Sequence, residues 1–122
     1  MNNTKQPKIL VIDDEGDLSE LLEIALRNDY TIELVFDGRS ALDKVRDFKP
    51  DLIFTDSQTL QEGFDLIQEI RKISEVPLIL VLGETSTRRK MSYYQNKGVT
   101  AVLVKPFTLK QLKSEILAVL RP

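Results

Sequence analysis

Cysteine, histidine and tryptophan are all missing from this 122-residue sequence. Without cysteine there is no disulfide frame and no thiolate chemistry. Without histidine, the commonest zinc ligand and the commonest general base are gone, and several enzyme classes fall away with them. Aromatic residues make up only 7% of the chain, too few for a stacking platform. No stretch approaches the roughly 20 apolar residues that a membrane span needs. The opening residues Met1 to Pro7 contain no apolar run, so nothing there reads as a signal peptide and a cytoplasmic location is expected. Charge of one sign is lacking too: 17 Lys and Arg stand against 19 Asp and Glu. With so little net field, neither nucleic acid nor a membrane is an expected partner of this segment.

What is present is an aliphatic-rich 42% hydrophobic composition on a length that suits one domain spanning residues 1–122. Five short apolar runs are of strand length: Lys8–Ile12, Thr31–Phe36, Leu52–Thr55, Leu78–Leu82 and Val99–Val104. Between them, apolar residues recur at helical spacing, as in Leu18, Leu21, Leu22 and Ala25, or Leu66, Ile67 and Ile70. A last segment repeats the pattern through Leu109, Leu112, Ile116, Val119 and Leu120, with Thr108 where an N-cap belongs. Only Met91, Tyr93 and Tyr94 are large and apolar between Thr85 and Asn96, so that helix is expected to be thinly anchored and mobile. Five βα units in succession predict an α/β fold with a parallel sheet covered by helices on both faces.

In such sheets the functional crevice lies beyond the carboxyl ends of the strands, where strand order reverses. The first strand ends in Asp13-Asp14-Glu15, the third in Thr55-Asp56 and the fifth in Lys105-Pro106-Phe107. With the order 2-1-3-4-5, Asp13, Asp14 and Asp56 converge. Each like-charged pair at about 4 Å costs on the order of 4 kcal/mol at an effective dielectric near 20, so a cation is expected there. Oxygen donors without nitrogen or sulfur favour a hard ion, and a small site with room for water and phosphate favours Mg²⁺. A carboxylate beside that ion is also a nucleophile towards a phosphoryl group, with the lysine neutralising phosphoryl oxygen. Taken singly, Asp13, Asp14 and Glu15 read equally well as N-caps of the following helix. Asp17 belongs to the helix's first turn, and Arg88-Arg89-Lys90 reads as a solvated face.

The ordered set Ile9-Leu10-Val11-Ile12-Asp13-Asp14-Glu15, Pro50-Asp51-Leu52-Ile53-Phe54-Thr55-Asp56, Gly63, Val76-Pro77, Gly98 and Lys105-Pro106-Phe107 resembles the response-regulator receiver family over nearly the whole chain. The resemblance implies a flavodoxin-like (βα)5 sandwich and signalling rather than enzymatic turnover. It implies Asp56 as phosphoacceptor, Asp14 as a direct Mg²⁺ ligand, Asp13 as a ligand mainly through water, and the Gln58 carbonyl as a third metal contact. Lys105 takes the place of the phosphate-contacting lysine, and its bond to Pro106 is expected to be cis. The implied partners are a histidine kinase or phosphotransfer protein, and an effector domain or a second copy met through helices four and five.

Three departures stand beside these matches. Thr59-Leu60 replace a Met-Pro pair, and Gly63 comes seven rather than eight positions after Asp56. Leu82 stands where the family places a Ser or Thr, and leucine offers no donor. Val102 stands where an aromatic ring switches between two positions. Loss of one hydrogen bond to a charged group removes about 1.5–3 kcal/mol of the difference that phosphorylation could impose on two states. Thr85, Ser86 or Thr87 would have to supply the hydroxyl instead. A second reading therefore stands beside the first, a degenerate receiver that binds proteins without phosphate control. A haloacid-dehalogenase-like phosphatase with Asp13 as nucleophile fits poorly, because Glu15-Gly16-Asp17 lacks that family's second Asp and Thr. A flavin cradle fits no better, because the first loop is acidic.

Overall fold

A computed structural model describes residues 6–13, 16–56, 65–83 and 88–120, Asp17 by its backbone alone. Asp14, Glu15, Gln58, Thr59, Leu60, Gly63 and the hydroxyls of residues 85–87 lie outside the described residues. The elements are β1 (Lys8–Ile12), α1 (Asp17–Leu26), β2 (Thr31–Val35), α2 (Gly38–Phe48), β3 (Leu52–Asp56), α3 (Leu66–Ile73), β4 (Leu78–Leu82), α4 (Arg88–Gln95), β5 (Ala101–Val104) and α5 (Leu109–Leu120). All strand pairs are parallel, in the order β2-β1-β3-β4-β5. The fold is the flavodoxin-like three-layer sandwich.

The two-residue period of the strands sorts their side chains into two cores. Leu10, Ile12, Ile53, Leu78, Leu80 and Leu82 pack with Ala41, Val45, Leu66, Ile67 and Ile70 of α2 and α3. Ile9, Val11, Leu52, Phe54, Ile79, Val81 and Leu103 pack with α1 and α5. β3 and β4 are buried at every position, which is why Leu52–Asp56 and Leu78–Leu82 read as unbroken apolar runs up to Thr55 and Asp56.

Three strand boundaries differ from the sequence reading, and β3 runs one residue further than expected, to Asp56. Phe36 leaves the sheet and is 55% exposed, because Asp37 already caps α2 by accepting from the Ser40 amide at 2.7 Å. That bond holds the Asp37 carboxyl below its ordinary pKa. β5 begins at Ala101 rather than Val99. Just before it, the Thr100 hydroxyl accepts from the Leu78 amide at 2.9 Å, a side chain standing in for a ladder carbonyl. At α5, Thr108 and Gln111 bond each other's backbone amides reciprocally at 3.0 and 2.7 Å, a capping box that confirms the expected N-cap.

α4 has no buried residue, as its composition foretold; Met91 and Tyr94 are only partly packed against the sheet. Two contacts behind it hold its end. Lys97 bonds the Asp65 carboxylate and lies over the Tyr93 ring, and Asp65 itself caps α3 through the Gln68 amide at 3.1 Å. Gly98 takes φ +101, and its carbonyl accepts from Arg71 Nε at 3.0 Å. A side chain at Gly98 would lie 3.4 Å from the flexible Arg71 side chain, a contact that can be accommodated, so it is the backbone conformation that calls for glycine.

Candidate functional site

The reversal of strand order between β1 and β3 places the chemistry. Ile12 pairs with Thr55, so Asp13, just past β1, and Asp56, the last residue of β3, stand side by side at the carboxyl ends of adjacent strands. Both are buried, at 1% and 5% exposure. The Asp13 amide donates to Val35 O at 3.0 Å, which extends the β1–β2 ladder by one bond and fixes the residue. Its Oδ2 accepts from the amides of Leu18 and Ser19 at 2.7 and 3.0 Å. Gly16 rather than Asp13 holds the N-cap position, but the Asp13 carboxylate bonds the first-turn amides and so sits against the positive end of α1. Gly16, at φ +88, lets the chain turn into that helix.

Lys105 follows β5, and its amide donates to Leu82 O at 2.9 Å. β4 separates it from β3, yet its long side chain reaches past the strand end and places Nζ 3.2 Å from Asp56 Oδ2. The bond to Pro106 is cis, as expected. Beside this pair, Leu18, Leu21, Lys105, Pro106 and Phe107 line a hollow of about 290 Å³. Three of the five predicted site residues are thus brought together: Asp13, Asp56 and Lys105. Asp14 and Gln58 lie outside the described residues.

In a chain without histidine or cysteine, two buried carboxylates suit a hard divalent ion such as Mg²⁺ better than a softer one. Among the described residues there is no group of three metal-ligating side chains, so a complete ligand set requires Asp14 or a backbone oxygen. Leu82 is wholly buried, and Val102 packs against the same apolar layer beneath α4. Neither offers a hydroxyl or a ring to the site.

The family model for the response regulator receiver domain matches residues 9–117. The chain belongs to the response regulator receiver family. It is 32% identical over 121 residues to the DNA-binding response regulator MtrA of Mycobacterium tuberculosis, covering 98% of this chain and 53% of that protein. It is 30% identical over 115 residues to the response regulator ArlR of Staphylococcus haemolyticus, covering 93% and 52%. The receiver chain thus spans about half the length of the curated relatives it matches. Among solved structures it superposes on a two-component response regulator from Clostridium difficile with a TM-score of 0.83 at 28% identity, covering 95% and 97% of the two chains. The N-terminal domain of the nisin resistance regulator NsrR gives 0.80 at 28% identity, covering 96% and 100%.

The Asp65–Lys97 pair escaped the sequence reading. Asp65 followed by Gln68 is a legible capping pattern, but a partner 32 residues away has no local signal.

Proposed function

We propose that this receiver accepts a phosphoryl group from a histidine kinase or phosphotransfer protein on Asp56, in the cytoplasm. The observation that carries the reading is the buried Asp56 carboxylate held 3.2 Å from Lys105 beside the buried Asp13. A carboxylate oxygen of Asp56 attacks phosphorus, the bond from phosphorus to the donor histidine nitrogen breaks, and an aspartyl phosphate forms. As the attacking oxygen loses its charge, Lys105 turns from the carboxylate to a phosphoryl oxygen and stays paired. Asp13, Asp14, Asp56 and the Gln58 carbonyl would hold Mg²⁺, which when bound neutralises charge on the transferring group. The backbone bonds to Asp13 Oδ2 suit a ligand acting mainly through water.

The surface offered onward, to an effector domain, is that of α4 and α5. Direct DNA contact is not assigned to this segment, whose net charge is −2, although MtrA is described as DNA-binding. Phosphorylation is favoured over a degenerate receiver because Asp13, Asp56 and Lys105 are assembled rather than dispersed. Leu82 and Val102 weaken only the transmission of the signal.

The test is incubation with Mg²⁺ and a small phosphodonor or beryllofluoride, read by intact mass and by spectra of the adduct. One adduct is expected on Asp56, absent in Asp56→Asn and in the presence of a chelator. A wild-type chain that forms no adduct, with Asp56→Asn still binding its partner normally, sinks the reading.

A further inference from the structure

The two ends of α4 are held in opposite ways. Its first turn stands at the carboxyl edge of the sheet, because it follows β4, where Val81 pairs with Asp56. Its last turn leads to the other edge, where β5 begins. At that end Lys97 bonds the Asp65 carboxylate, and the Gly98 carbonyl accepts from Arg71 Nε at 3.0 Å. Arg71 is itself fixed, since its Nη1 donates to Val76 O at 2.8 Å and to Ser74 O at 3.3 Å. The chain just past α4 is therefore tied to α3 and to the approach to β4.

The first turn has the reverse character. Arg88, Arg89 and Lys90 open the helix with no acid among them, and all three are exposed. Among the described residues no ion pair involves Arg88 or Arg89. Cations at a helix start face the positive end of the macrodipole, which weakens that turn, and an anion placed nearby offsets the weakening. The three belong to a wider division of charge: between residues 88 and 120 seven Lys and Arg accompany a single acid, Glu115.

Leu82 and Val102 belong to the apolar layer beneath α4 and give neither a hydroxyl nor a ring to carry a signal out of the site. We propose that the charge itself is read: Arg88 and Arg89 sense the phosphoryl group on Asp56, and α4 pivots about its tied end as its first turn is drawn towards that group. The inference rests on the phosphorylation of Asp56 proposed above. Before transfer, the Asp56 carboxylate is a single charge already paired with Lys105 at 3.2 Å. After transfer the site carries about −1.5 to −2 charge on three acceptor oxygens, more than one lysine meets. A cation held in the acidic pocket both before and after transfer leaves that increase in place. The added charge favours the state in which the first turn lies closer, and this difference between two states is what shifts their populations. A pivot of this kind requires no side chain of β4 or β5 to change its rotamer, so Leu82 and Val102 do not obstruct it.

The test is amide exchange in α4 of the whole chain, with Mg²⁺ and with or without beryllofluoride, while fluorine spectra follow how much adduct is bound. In the wild type the adduct is expected to slow exchange in α4 about fivefold at low salt. Between about 0.05 and 1 M NaCl most of that slowing should vanish at equal occupancy, because the screening length falls to about 3 Å. Arg88→Gln combined with Arg89→Gln should slow α4 exchange about two- to fivefold with no adduct present, since the helix start is no longer opposed. The adduct should then add less than about a further twofold. Arg88→Lys combined with Arg89→Lys should keep the wild-type response. Arg46→Gln, in the last turn of α2 at the opposite edge of the sheet, should leave that response unchanged. A wild type that forms no adduct overturns the phosphorylation reading and this inference together. An adduct that forms but leaves α4 exchange unaltered overturns the inference alone. So does a slowing that persists at about 1 M salt, or one that survives in full in the double glutamine variant.

Discussion

α4 and α5 pack on opposite faces of the sheet at its β5 edge, yet they are held in different ways. α5 runs twelve residues, starts in a reciprocal capping box and buries Leu112 and Ile116. α4 runs eight residues, buries none, and leans on Met91, Tyr94 and the Lys97–Asp65 pair behind its end. Local opening is set by buried apolar contact and by how well helix ends are satisfied. The contrast therefore predicts that α4 opens first and that α5 opens only with the whole domain. In the proposed phosphoryl transfer, the firmly held side frames Lys105 at the end of β5 and the loosely held α4 is the face that responds.

The sharpest way to break the contrast is to empty the α5 side. Ile116 is fully buried, and Ile116→Ala should cost about 2–5 kcal/mol of unfolding free energy. Met91→Ala, at a partly buried α4 position, should cost less than half of that. Urea denaturation of both variants checks the ratio, and equal losses would refute the unequal anchoring.

Next in size is the join between α4 and β5. Gly98→Ala imposes a side chain at φ +101, a conformation that L residues rarely adopt. The expected cost is about 1–2 kcal/mol. The loss should come with faster amide exchange in α4 and little change in α5. Uniform acceleration in both helices would show that Gly98 supports the whole domain rather than this junction.

The fold was legible because its signals are local. Unbroken runs such as Leu78–Leu82 mark central strands, and Thr108 with Gln111 marks a helix start. Asp13, Asp56 and Lys105 were legible as a site because the parallel topology sends every strand end to one edge. Even the weakness of α4 could be read, from the shortage of apolar residues between Thr85 and Asn96. Less visible was the dual use of Asp13, where sequence left capping and site roles as alternatives and the geometry shows the carboxylate bonding the first-turn amides of α1 from within the pocket. The Asp65–Lys97 pair could not be read, since it depends on how α3 and α4 lie side by side, and nothing local sets Lys97 apart from a solvated lysine.

That pair gives the smallest effect and the most specific one. Hydrogen bonds from Lys97 and from the Gln68 amide outweigh the effect of burial, which alone would raise it, and so hold the Asp65 carboxyl below its ordinary pKa. The hydrogen bond to Asp65 raises the Lys97 ammonium above its ordinary value. A depressed carboxyl stabilises the folded state above the unfolded carboxyl pKa of about 3.9, and that contribution is lost as pH falls through the lower folded value. A raised ammonium stabilises below the unfolded lysine pKa of about 10.4, and that contribution is lost as pH rises through the higher folded value. The tether should therefore be fully present across the neutral range and fail only at the two extremes. Asp65→Asn keeps a capping side chain for the Gln68 amide but removes the charge that Lys97 needs. At neutral pH it should speed amide exchange in α4 about two- to fivefold, the scale of one exposed ion pair, while α5 is unchanged. Lys97→Met should produce the same acceleration, and the double variant no more than either alone. If the two single effects simply add, the residues steady α4 independently and the α4 end is held by something other than their pairing.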